Sequence, residues 1–357
     1  MRYIGNKTRL LGFIRRVLRA RGIAGGRAVD PFSGTASVAR ALRRWGFAVA
    51  AGDIMEYGYI LARAAVGIAK APPFHALAHH LGLPRASTAA VLRHLDRLPL
   101  HPGFIHEHYS PAGHAGALAG RMYFTPENAA RIDTVRRALH QWRAAGLIGA
   151  DAHDLLLAGL IEAADRVANT TGVYAAFVKS WQPNALRPLT LRAPGNLTGP
   201  PGRAHRADAL ALVRAQAPFE LLYLDPPYNN RQYAGYYHIP EVIALGWFDE
   251  PVTLRGKTGL IADAHKRSDW GSSRRCEGAL EALVAAAPCR HIVMSYNAEG
   301  LIPEATIERV LREHGRRGTY QRYRRRYRRY RSDADSDRRR YRGDEVEEYL
   351  YCVARGD

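Results

Sequence analysis

Short apolar runs alternate with amphipathic stretches at both ends of this chain, a pattern typical of a parallel sheet covered by helices. Apolar runs at residues 47–52, 219–224 and 290–294 predict buried strands. Amphipathic patterns at residues 10–18 and 38–45 predict helices. Ligands of an open α/β sheet bind outside the carboxyl ends of its strands, so residues that directly follow these runs are the first candidates for a site.

The sheet pattern stops after residue 53 and resumes near residue 208, which indicates an insertion in this 357-residue chain. The pattern predicts a discontinuous main domain of residues 1–57 and 150–357, and a mostly helical insertion at residues 58–149. One helix of the insertion is predicted to begin near residue 127, because the preceding Thr125 is a favourable N-cap residue.

The tetrapeptide Asp225-Pro226-Pro227-Tyr228 directly follows the apolar run 219–224 and predicts a pocket for a flat ring that bears an amine. Asp225 and the carbonyl of Pro226 are two acceptors, which together hold both N–H groups of the amine and localise its lone pair. Successive prolines fix the backbone and add no competing donor. Tyr228 offers a face for stacking, worth about 1 to 3 kcal/mol per base. The alternative is an ordinary turn, since aspartate and proline are common there.

A second candidate site lies where the first predicted strand turns into a helix. The turn contains Asp30, Phe32 and Gly34, but the glycine pattern of dinucleotide sites is absent. Backbone N–H groups of such a turn can approach a ligand closely. Asp53 ends the next strand nineteen residues after Gly34, an offset that suits hydrogen bonds to ribose hydroxyls. Alternatively, Asp53 caps the following turn.

These segments, together with the N-terminal Arg-Tyr-Ile-Gly-Asn-Lys, resemble in their order the D12 class of N6-adenine-specific DNA methyltransferases over nearly the whole chain. The resemblance implies a Rossmann-like sheet and S-adenosylmethionine as methyl donor, with residues 225–228 holding the target adenine. It also implies that the insertion is a target-recognition domain. One departure is Ala36, which stands where the family commonly has a second glycine.

The resemblance further implies which residues border the donor. Asp208 is an added candidate for the donor's adenine, and its alternative role is a helix N-cap. The predicted donor-binding set is Tyr3, Lys7, Asp30, Phe32, Gly34, Asp53, Asp208 and Asp225.

The charge balance predicts a polyanionic partner, because 52 Lys and Arg face 33 Asp and Glu, a formal net charge of +19. Thirteen arginines and three aspartates lie between residues 315 and 342, interleaved with tyrosines. A disordered basic tail is one interpretation of this block. We favour an Arg-rich hairpin over residues 315–353, because residues 347–353 have the pattern of a returning strand. Its arginines would contact the DNA backbone.

Other candidates for nucleic-acid binding are spread along the chain. Arg231 and Tyr233 follow the tetrapeptide and could meet a phosphate or stack near the target base, or belong to an ordinary surface loop. Reading base edges requires side chains such as Arg, Lys and Asn. The predicted nucleic-acid-binding set is Arg121, Asn169, Lys179, Arg231, Tyr233, Arg322, Arg324 and Arg328.

Several features point away from other classes of protein. Histidines crowd residues 101–114, but no cysteine or carboxylate cluster has metal spacing, so no metal site is predicted. The three cysteines lack C-x-x-C spacing and fit reduced thiols of a cytoplasmic protein. No secretory signal and no apolar run long enough to cross a bilayer are present, so no membrane partner is predicted.

The sequence therefore predicts a site-specific DNA adenine N6-methyltransferase that flips its target base from double-stranded DNA and transfers the methyl group in line. It would work in the cytoplasm of a bacterial or phage-infected cell, associated with the nucleoid. A restriction-modification system with a cognate endonuclease is the predicted setting. The alternatives are an RNA adenine methyltransferase and a catalytically silent DNA-binding regulator.

Overall fold

The computed structural model describes residues 2–3, 5–113, 120–194, 198–230, 233–261, 268–328 and 345–356. In this part of the chain, the strands are β1 (Gly26–Asp30), β2 (Phe47–Asp53), β3 (Arg203–Arg206), β4 (Phe219–Leu224), β5 (Leu254–Arg255), β6 (Leu260–Ile261), β7 (Cys289–Asn297), β8 (Gln321–Arg328) and β9 (Glu345–Ala354).

The α-helices are α1 (Leu11–Ala20), α2 (Ser37–Arg44), α3 (Glu56–Ala62), α4 (His75–His80), α5 (Thr88–Arg97), α6 (Phe104–Tyr109), α7 (Pro126–Ala144), α8 (Ala150–Val167), α9 (Ala209–Arg214), α10 (Tyr233–Tyr236), α11 (His238–Leu245), α12 (Cys276–Ala286) and α13 (Glu304–His314). A 3₁₀ turn, Lys7–Leu10, leads directly into α1. No helix among the described residues has both the length and the apolar character needed to cross a membrane.

The chain divides into two compact units. The helical unit comprises residues 1–5, 55–197 and 233–265, and the sheet unit comprises residues 6–54, 198–232 and 266–357.

The sheet unit is built on seven strands in the order β3-β2-β1-β4-β7-β9-β8. The first five of these strands are parallel, and β9 runs antiparallel to both of its neighbours. In β4 the apolar side chains are buried along nearly the whole strand, as expected for a central strand covered on both faces. This arrangement is consistent with a Rossmann-like methyltransferase fold, so the predicted fold class is confirmed.

The hydrophobic core of the sheet unit fixes where the central strands end. Helices α9, α12 and α13 bury apolar side chains against β4, β7 and β9, with Leu222, Leu283 and Ile292 among those with no exposed surface. Helix α2 packs on β1 and β2. This packing fixes the positions of the central strands and therefore of the residues at their carboxyl ends.

The Arg-rich segment forms an edge strand, as the sequence predicted. Strand β8 pairs antiparallel with β9 from Gln321 opposite Cys352 to Arg328 opposite Glu345. A disordered tail is therefore the wrong interpretation for residues 321–328. The turn predicted near residues 332–337 lies outside the described residues.

The helical unit centres on the two long helices α7 and α8, which pack against each other. Helix α7 begins as predicted, because the Thr125 side chain accepts a hydrogen bond from the N–H of Asn128 and Pro126 opens the first turn. The unit extends beyond the predicted insertion of residues 58–149. Since α8 (Ala150–Val167) packs on α7 and α3, it belongs to the helical unit, whereas the sequence pattern placed it in the main domain.

Candidate active site at the carboxyl ends of the central strands

Three carboxylates of the sheet unit stand at the carboxyl ends of adjacent parallel strands. Asp30 is the last residue of β1, Asp53 is the last residue of β2, and Asp225 directly follows β4. Strand β1 lies between β2 and β4, so the three strands end at the same edge of the sheet. The topology of the fold therefore brings these three predicted site residues to one edge of the sheet.

Asp225 is anchored by a lysine from the N-terminal segment. The ammonium Nζ of Lys7 lies 3.1 Å from Asp225 Oδ1 and 2.6 Å from Glu348 Oε1 on β9. The Lys7 and Glu348 side chains are only 2% and 1% exposed, whereas Asp225 retains 18%. The hydroxyl of Ser295 on β7 donates to the same Glu348 oxygen at 2.7 Å. Two carboxylates thus share one buried ammonium, and the more exposed of the two is Asp225.

Tyr228 lies against the same ammonium. Lys7 Nζ is 5.7 Å from the centre of the Tyr228 ring, within the range of a cation–π contact. The Tyr228 carbonyl accepts a hydrogen bond from the N–H of Leu301 at 3.1 Å, and its ring packs partly against the hydrophobic core. Asp225, Lys7 and Tyr228 are therefore held as one group.

Burial and charge shift the protonation of this group. Burial raises the pKa of Asp225 to about 7, although Lys7 opposes that rise, and the charge of Glu348 adds to it. Burial also raises the pKa of Asp30 to about 8, helped by the charges of Asp225 and Asp53. Burial acts to lower the pKa of Lys7, but Asp225 and Glu348 outweigh it and hold that pKa well above its usual value. Lys7 is therefore charged, and burial holds the pKa values of Asp225 and Asp30 near neutrality.

The turn after β1 is braced by residues of β2. The N–H of Gly34 donates to Asp53 Oδ2 at 3.0 Å, and both the N–H and the hydroxyl of Ser33 donate to the carbonyl of Gly52. Ala36 has a φ of 55°, in the left-handed region that glycine tolerates best. The resemblance leads us to expect glycine at this position, and Ala36 adopts the backbone conformation that a glycine would adopt.

The residues at this edge fit a positively charged nucleoside donor such as S-adenosylmethionine. Asp30 is 1% exposed, and its Oδ1 has no hydrogen-bond partner among the residues that the structure describes. A buried carboxylate oxygen without a partner is unfavourable, and a cationic ligand would remove that penalty. Phe32 is half-buried, with its ring 4.8 Å from that of Trp270 in an edge-to-face contact. This edge of the sheet therefore offers the acidic and aromatic groups that such a ligand requires.

Asp208 acts as a helix cap. Its Oδ1 accepts hydrogen bonds from the N–H groups of Leu210 and Ala211 at the start of α9. The alternative interpretation of this residue is therefore confirmed. Its role toward the donor stays a prediction.

Two predicted site residues, Tyr3 and Tyr233, meet within the helical unit. Their ring centres are 5.6 Å apart, and Tyr3 stacks on Tyr237 at 4.4 Å. The hydroxyl groups of Tyr3 and Tyr57 are 3.2 Å apart. Tyr3, expected at the donor, and Tyr233, expected at the DNA, belong to one aromatic cluster.

Two predicted base-reading residues have structural roles instead. Arg121 is 1% exposed, and its guanidinium donates to the carbonyls of His108, Gly256 and Lys257. Asn169 is fully buried, donates to the carbonyls of Met122 and Val178, and accepts from the N–H of Gln182. The prediction that these side chains read bases is corrected, because their polar atoms hold loops together. Lys179 is exposed and stays a candidate.

The arginines of β8 lie on an exposed strand and pair with acidic neighbours. Arg322 contacts Glu304 and covers the Tyr349 ring, with its guanidinium carbon 5.1 Å from the ring centre. Arg324 lies 3.5 Å from Glu347. These ion pairs lie at the surface and are therefore weak. Arg231 and the side chain of Arg328 lie outside the described residues.

The sequence alone did not identify Glu348 or the direction of β7 side chains. Ser295 faces Glu348, but Tyr296 points to the opposite face of β7, where its hydroxyl accepts from the N–H of Ile302 in the core. The two side chains point to opposite faces because neighbouring strand residues alternate between faces. The signal available for Glu348 was its place as an acidic residue within an apolar strand.

Comparison with known proteins identifies the family. Residues 3–271 match the family described as D12 class N6 adenine-specific DNA methyltransferase. The chain is 34% identical to the type II methyltransferase M.FokI of Planomicrobium okeanokoites, over 99% of this chain and 52% of that protein. It is 33% identical to the type II methyltransferase M.NlaIII of Neisseria lactamica, over 99% of both chains. It is 30% identical to modification methylase StsI of Streptococcus sanguinis, over 99% of this chain and 52% of that protein.

The chain thus spans about half the length of the M.FokI and StsI proteins and nearly all of M.NlaIII. No solved structure matches it. The family match covers most of the chain and includes the tetrapeptide at the end of β4. On this evidence the chain belongs to the D12 class of N6-adenine-specific DNA methyltransferases.

Proposed function

We propose that this chain transfers the methyl group of S-adenosylmethionine to N6 of adenine at specific sites in double-stranded DNA. The observation that carries the proposal is the placement of Asp225 and Tyr228 at the carboxyl end of β4, both in contact with the buried Lys7. Family membership supports the reaction. The names of the relatives, type II methyltransferases and modification methylases, support a role in restriction-modification.

Asp225 and the Pro226 carbonyl orient the amine of the target base in this proposal. Lys7 occupies Oδ1 of Asp225, which leaves Oδ2 to accept one N–H of the amine. The Pro226 carbonyl accepts the other, and the Tyr228 ring stacks on the flipped base. Acceptance requires the ionised form of Asp225. Activity is therefore expected above its pKa and should be lost as the pH falls through it.

The transfer needs no covalent bond to the protein. S-adenosylmethionine supplies a methyl group on positively charged sulfur; the N–C bond forms as the S–C bond breaks, and the electron pair of that bond stays on sulfur. The methylated nitrogen must then lose a proton. Asp225 already accepts that N–H group, and with 18% of its side chain exposed it can take the proton and pass it to solvent.

The donor would bind along the ends of β1 and β2. In this proposal Asp30 and Phe32 border the charged and the flat parts of the donor. Asp53, which accepts the hydrogen bond from the N–H of Gly34, also accepts hydrogen bonds from the ribose hydroxyls of the donor. Asp208 would approach the adenine from the start of α9. Tyr3 and Lys7 complete the predicted set. The orphaned Oδ1 of Asp30 supports this location.

Binding energy from other contacts must offset the few kilocalories per mole that base flipping requires. The exposed arginines of β8, including Arg322 and Arg324, are proposed to contact DNA phosphates. Lys179 and Tyr233 of the helical unit remain candidates for contacts near the target base, and that unit is proposed to recognise the site. Because the proposed substrate is genomic DNA, we place the protein in the cytoplasm, at the nucleoid. A cognate endonuclease is its proposed functional partner.

The proposal is tested by incubating the protein with labelled S-adenosylmethionine and duplex DNA, then identifying the methylated nucleoside by mass spectrometry. We expect N6-methyladenine from wild-type protein and none from Asp225→Ala, with DNA affinity changed less than about threefold. Equal turnover by Asp225→Ala would refute the assignment. Preferential methylation of structured RNA would favour an RNA methyltransferase, and DNA binding without donor binding would favour a silent regulator.

A further inference from the structure

Glu348 stands out among the buried charged groups that the proposed reaction does not use. It lies on β9, beyond residues 3–271 that match the family, and 341 positions from Lys7 in the chain. Only 1% of its side chain is exposed, yet it makes the shorter of the two contacts with Lys7, 2.6 Å against 3.1 Å for Asp225. A carboxylate kept this deep requires a compensating charge, and Lys7 supplies it.

Two donors hold one oxygen of the Glu348 carboxylate, while its Oε2 is buried without a hydrogen-bond partner among the described residues. Its Oε1 accepts from both the Lys7 ammonium and the Ser295 hydroxyl, at 2.6 Å and 2.7 Å. Main-chain pairing of β9 with β7 places Glu348 opposite Asn297. Because β7 and β9 are both interior strands of the sheet, Glu348 provides a fixed point to which the long Lys7 side chain is tied.

This tie has a consequence for Asp225. A lysine side chain has four rotatable bonds and loses considerable entropy when it is held by a single partner. With Glu348 and Ser295 on one side, the Lys7 ammonium is restricted to the place where it also contacts Asp225 Oδ1. Fixing one oxygen of Asp225 fixes the direction of the other.

We propose that Glu348 is a positioning residue for methyl transfer: it fixes the Lys7 ammonium, and through it the orientation and charge of the Asp225 carboxylate. This inference rests on the proposed function for its catalytic meaning. Its structural part, the control of Asp225 by Glu348, concerns the protein without substrate and can be measured separately.

The electrostatic part follows from the groups around Asp225. Burial raises its pKa, Lys7 lowers it, and Glu348 raises it. Removing the charge of Glu348 removes its repulsion of the Asp225 carboxylate. It also leaves Asp225 as the one carboxylate in contact with the Lys7 ammonium among the described residues. Both effects lower the pKa of Asp225. The titratable groups coupled to Lys7 and Asp225 are Asp30 on β1, Tyr223 on β4, Tyr228 after β4 and Glu348 on β9; Asp53 on β2 acts on Asp30.

The first test is a titration of the ligand-free protein by infrared difference spectroscopy, with the Asp225 band identified by its loss in Asp225→Asn. We expect Glu348→Gln to lower the titration midpoint of Asp225 by at least about half a pH unit. Glu348→Asp keeps the charge on a shorter side chain and should stay closer to wild type. Glu313→Gln removes an exposed carboxylate of α13, paired with Arg309, and should leave the midpoint unchanged. Equal midpoints in Glu348→Gln and wild type would overturn the inference.

The second test follows kcat against pH for methylation of duplex DNA. Glu348→Gln should move the acid limb to lower pH and reduce kcat on the plateau about 10- to 100-fold, with DNA affinity retained. Glu348→Asp should recover part of the loss. A loss shared equally by both variants, with no displacement of the acid limb, would mark a purely structural role and overturn the inference. Wild-type protein that fails to methylate adenine would instead refute the proposed function, and the titration would still decide the control of Asp225.

Discussion

Replacing Lys7 by methionine should destabilise the centre of the sheet unit much more than an ordinary loss of a surface cation. The change keeps an unbranched side chain but leaves Asp225 and Glu348 without the ammonium that lies 3.1 Å and 2.6 Å from them. Removing one partner of a buried ion pair costs about 3 to 5 kcal/mol, because the remaining charge is uncompensated. Each 1.4 kcal/mol corresponds to a factor of ten, so local opening should become about two to three and a half orders of magnitude more frequent.

Hydrogen exchange of the backbone amides in β4 and β7, read by mass spectrometry, measures this opening directly. Arg309→Met is a matched control. Arg309 also lies between two carboxylates, 3.1 Å from Glu281 and 2.7 Å from Glu313, but its side chain is 48% exposed. Exposed pairs contribute about 0 to 1 kcal/mol, so exchange in the control should change less than about fivefold.

The pH dependence of the Lys7→Met defect follows from its cause. Without the ammonium, the pKa of Asp225 should rise further, so the folded state takes up a proton more readily than the unfolded chain. The excess exchange should therefore be largest at alkaline pH and should shrink as the pH falls through the raised pKa. Adding Glu348→Gln should recover part of the stability, since one uncompensated charge is gone. Exchange in Lys7→Met that matches Arg309→Met at all pH values would refute the reasoning.

Three further predictions test the donor site, the hairpin and a corrected residue. S-adenosylmethionine binding at pH 7 should release up to about one proton, because a bound cation lowers the raised pKa of Asp30. Calorimetry in buffers of different ionisation enthalpy measures the number of protons released. Equal proton release by Asp30→Asn and wild type would contradict the prediction. Arg324→Ala should weaken binding to all DNA sequences alike and reduce the slope of log K against log salt by about 0.9, whereas a loss confined to one sequence would assign it to base readout. Arg121→Leu should lower the free energy of unfolding by several kilocalories per mole, because each carbonyl left unpaired costs about 1 to 3 kcal/mol. A stable variant with an altered sequence preference would instead assign Arg121 to base reading.

Local patterns predicted the features that depend on local chemistry. The strand 219–224 follows from its apolar run, and the start of α7 follows from Thr125 as N-cap. The convergence of Asp30, Asp53 and Asp225 also follows, because parallel strands end at one edge of a sheet. The arginine block was predicted as a strand because residues 347–353 have the pattern of an apolar partner strand, and the two segments pair in the structure.

Features that depend on distant partners escaped the sequence. Arg121 looks like a nucleic-acid contact until the three carbonyls around it are known. Asn169 likewise has the right chemistry for reading bases, but it holds a loop together. Glu348 becomes meaningful only when β9 brings it to Lys7 across 341 positions. Polar side chains have the same identity in a core and at an interface, so only tertiary contacts separate the two roles.

The central claim is that Asp225 and the Pro226 carbonyl hold the amine of a flipped adenine. A crystal structure with a duplex that contains the methylated site and with a non-reactive analogue of S-adenosylmethionine tests it most directly. The account predicts that N6 of the extruded adenine lies about 2.7 to 3.2 Å from an Asp225 carboxylate oxygen and from the Pro226 carbonyl oxygen, with Tyr228 stacked on the ring. An adenine held by other residues, with the Asp225 carboxylate turned away from it, would contradict the account.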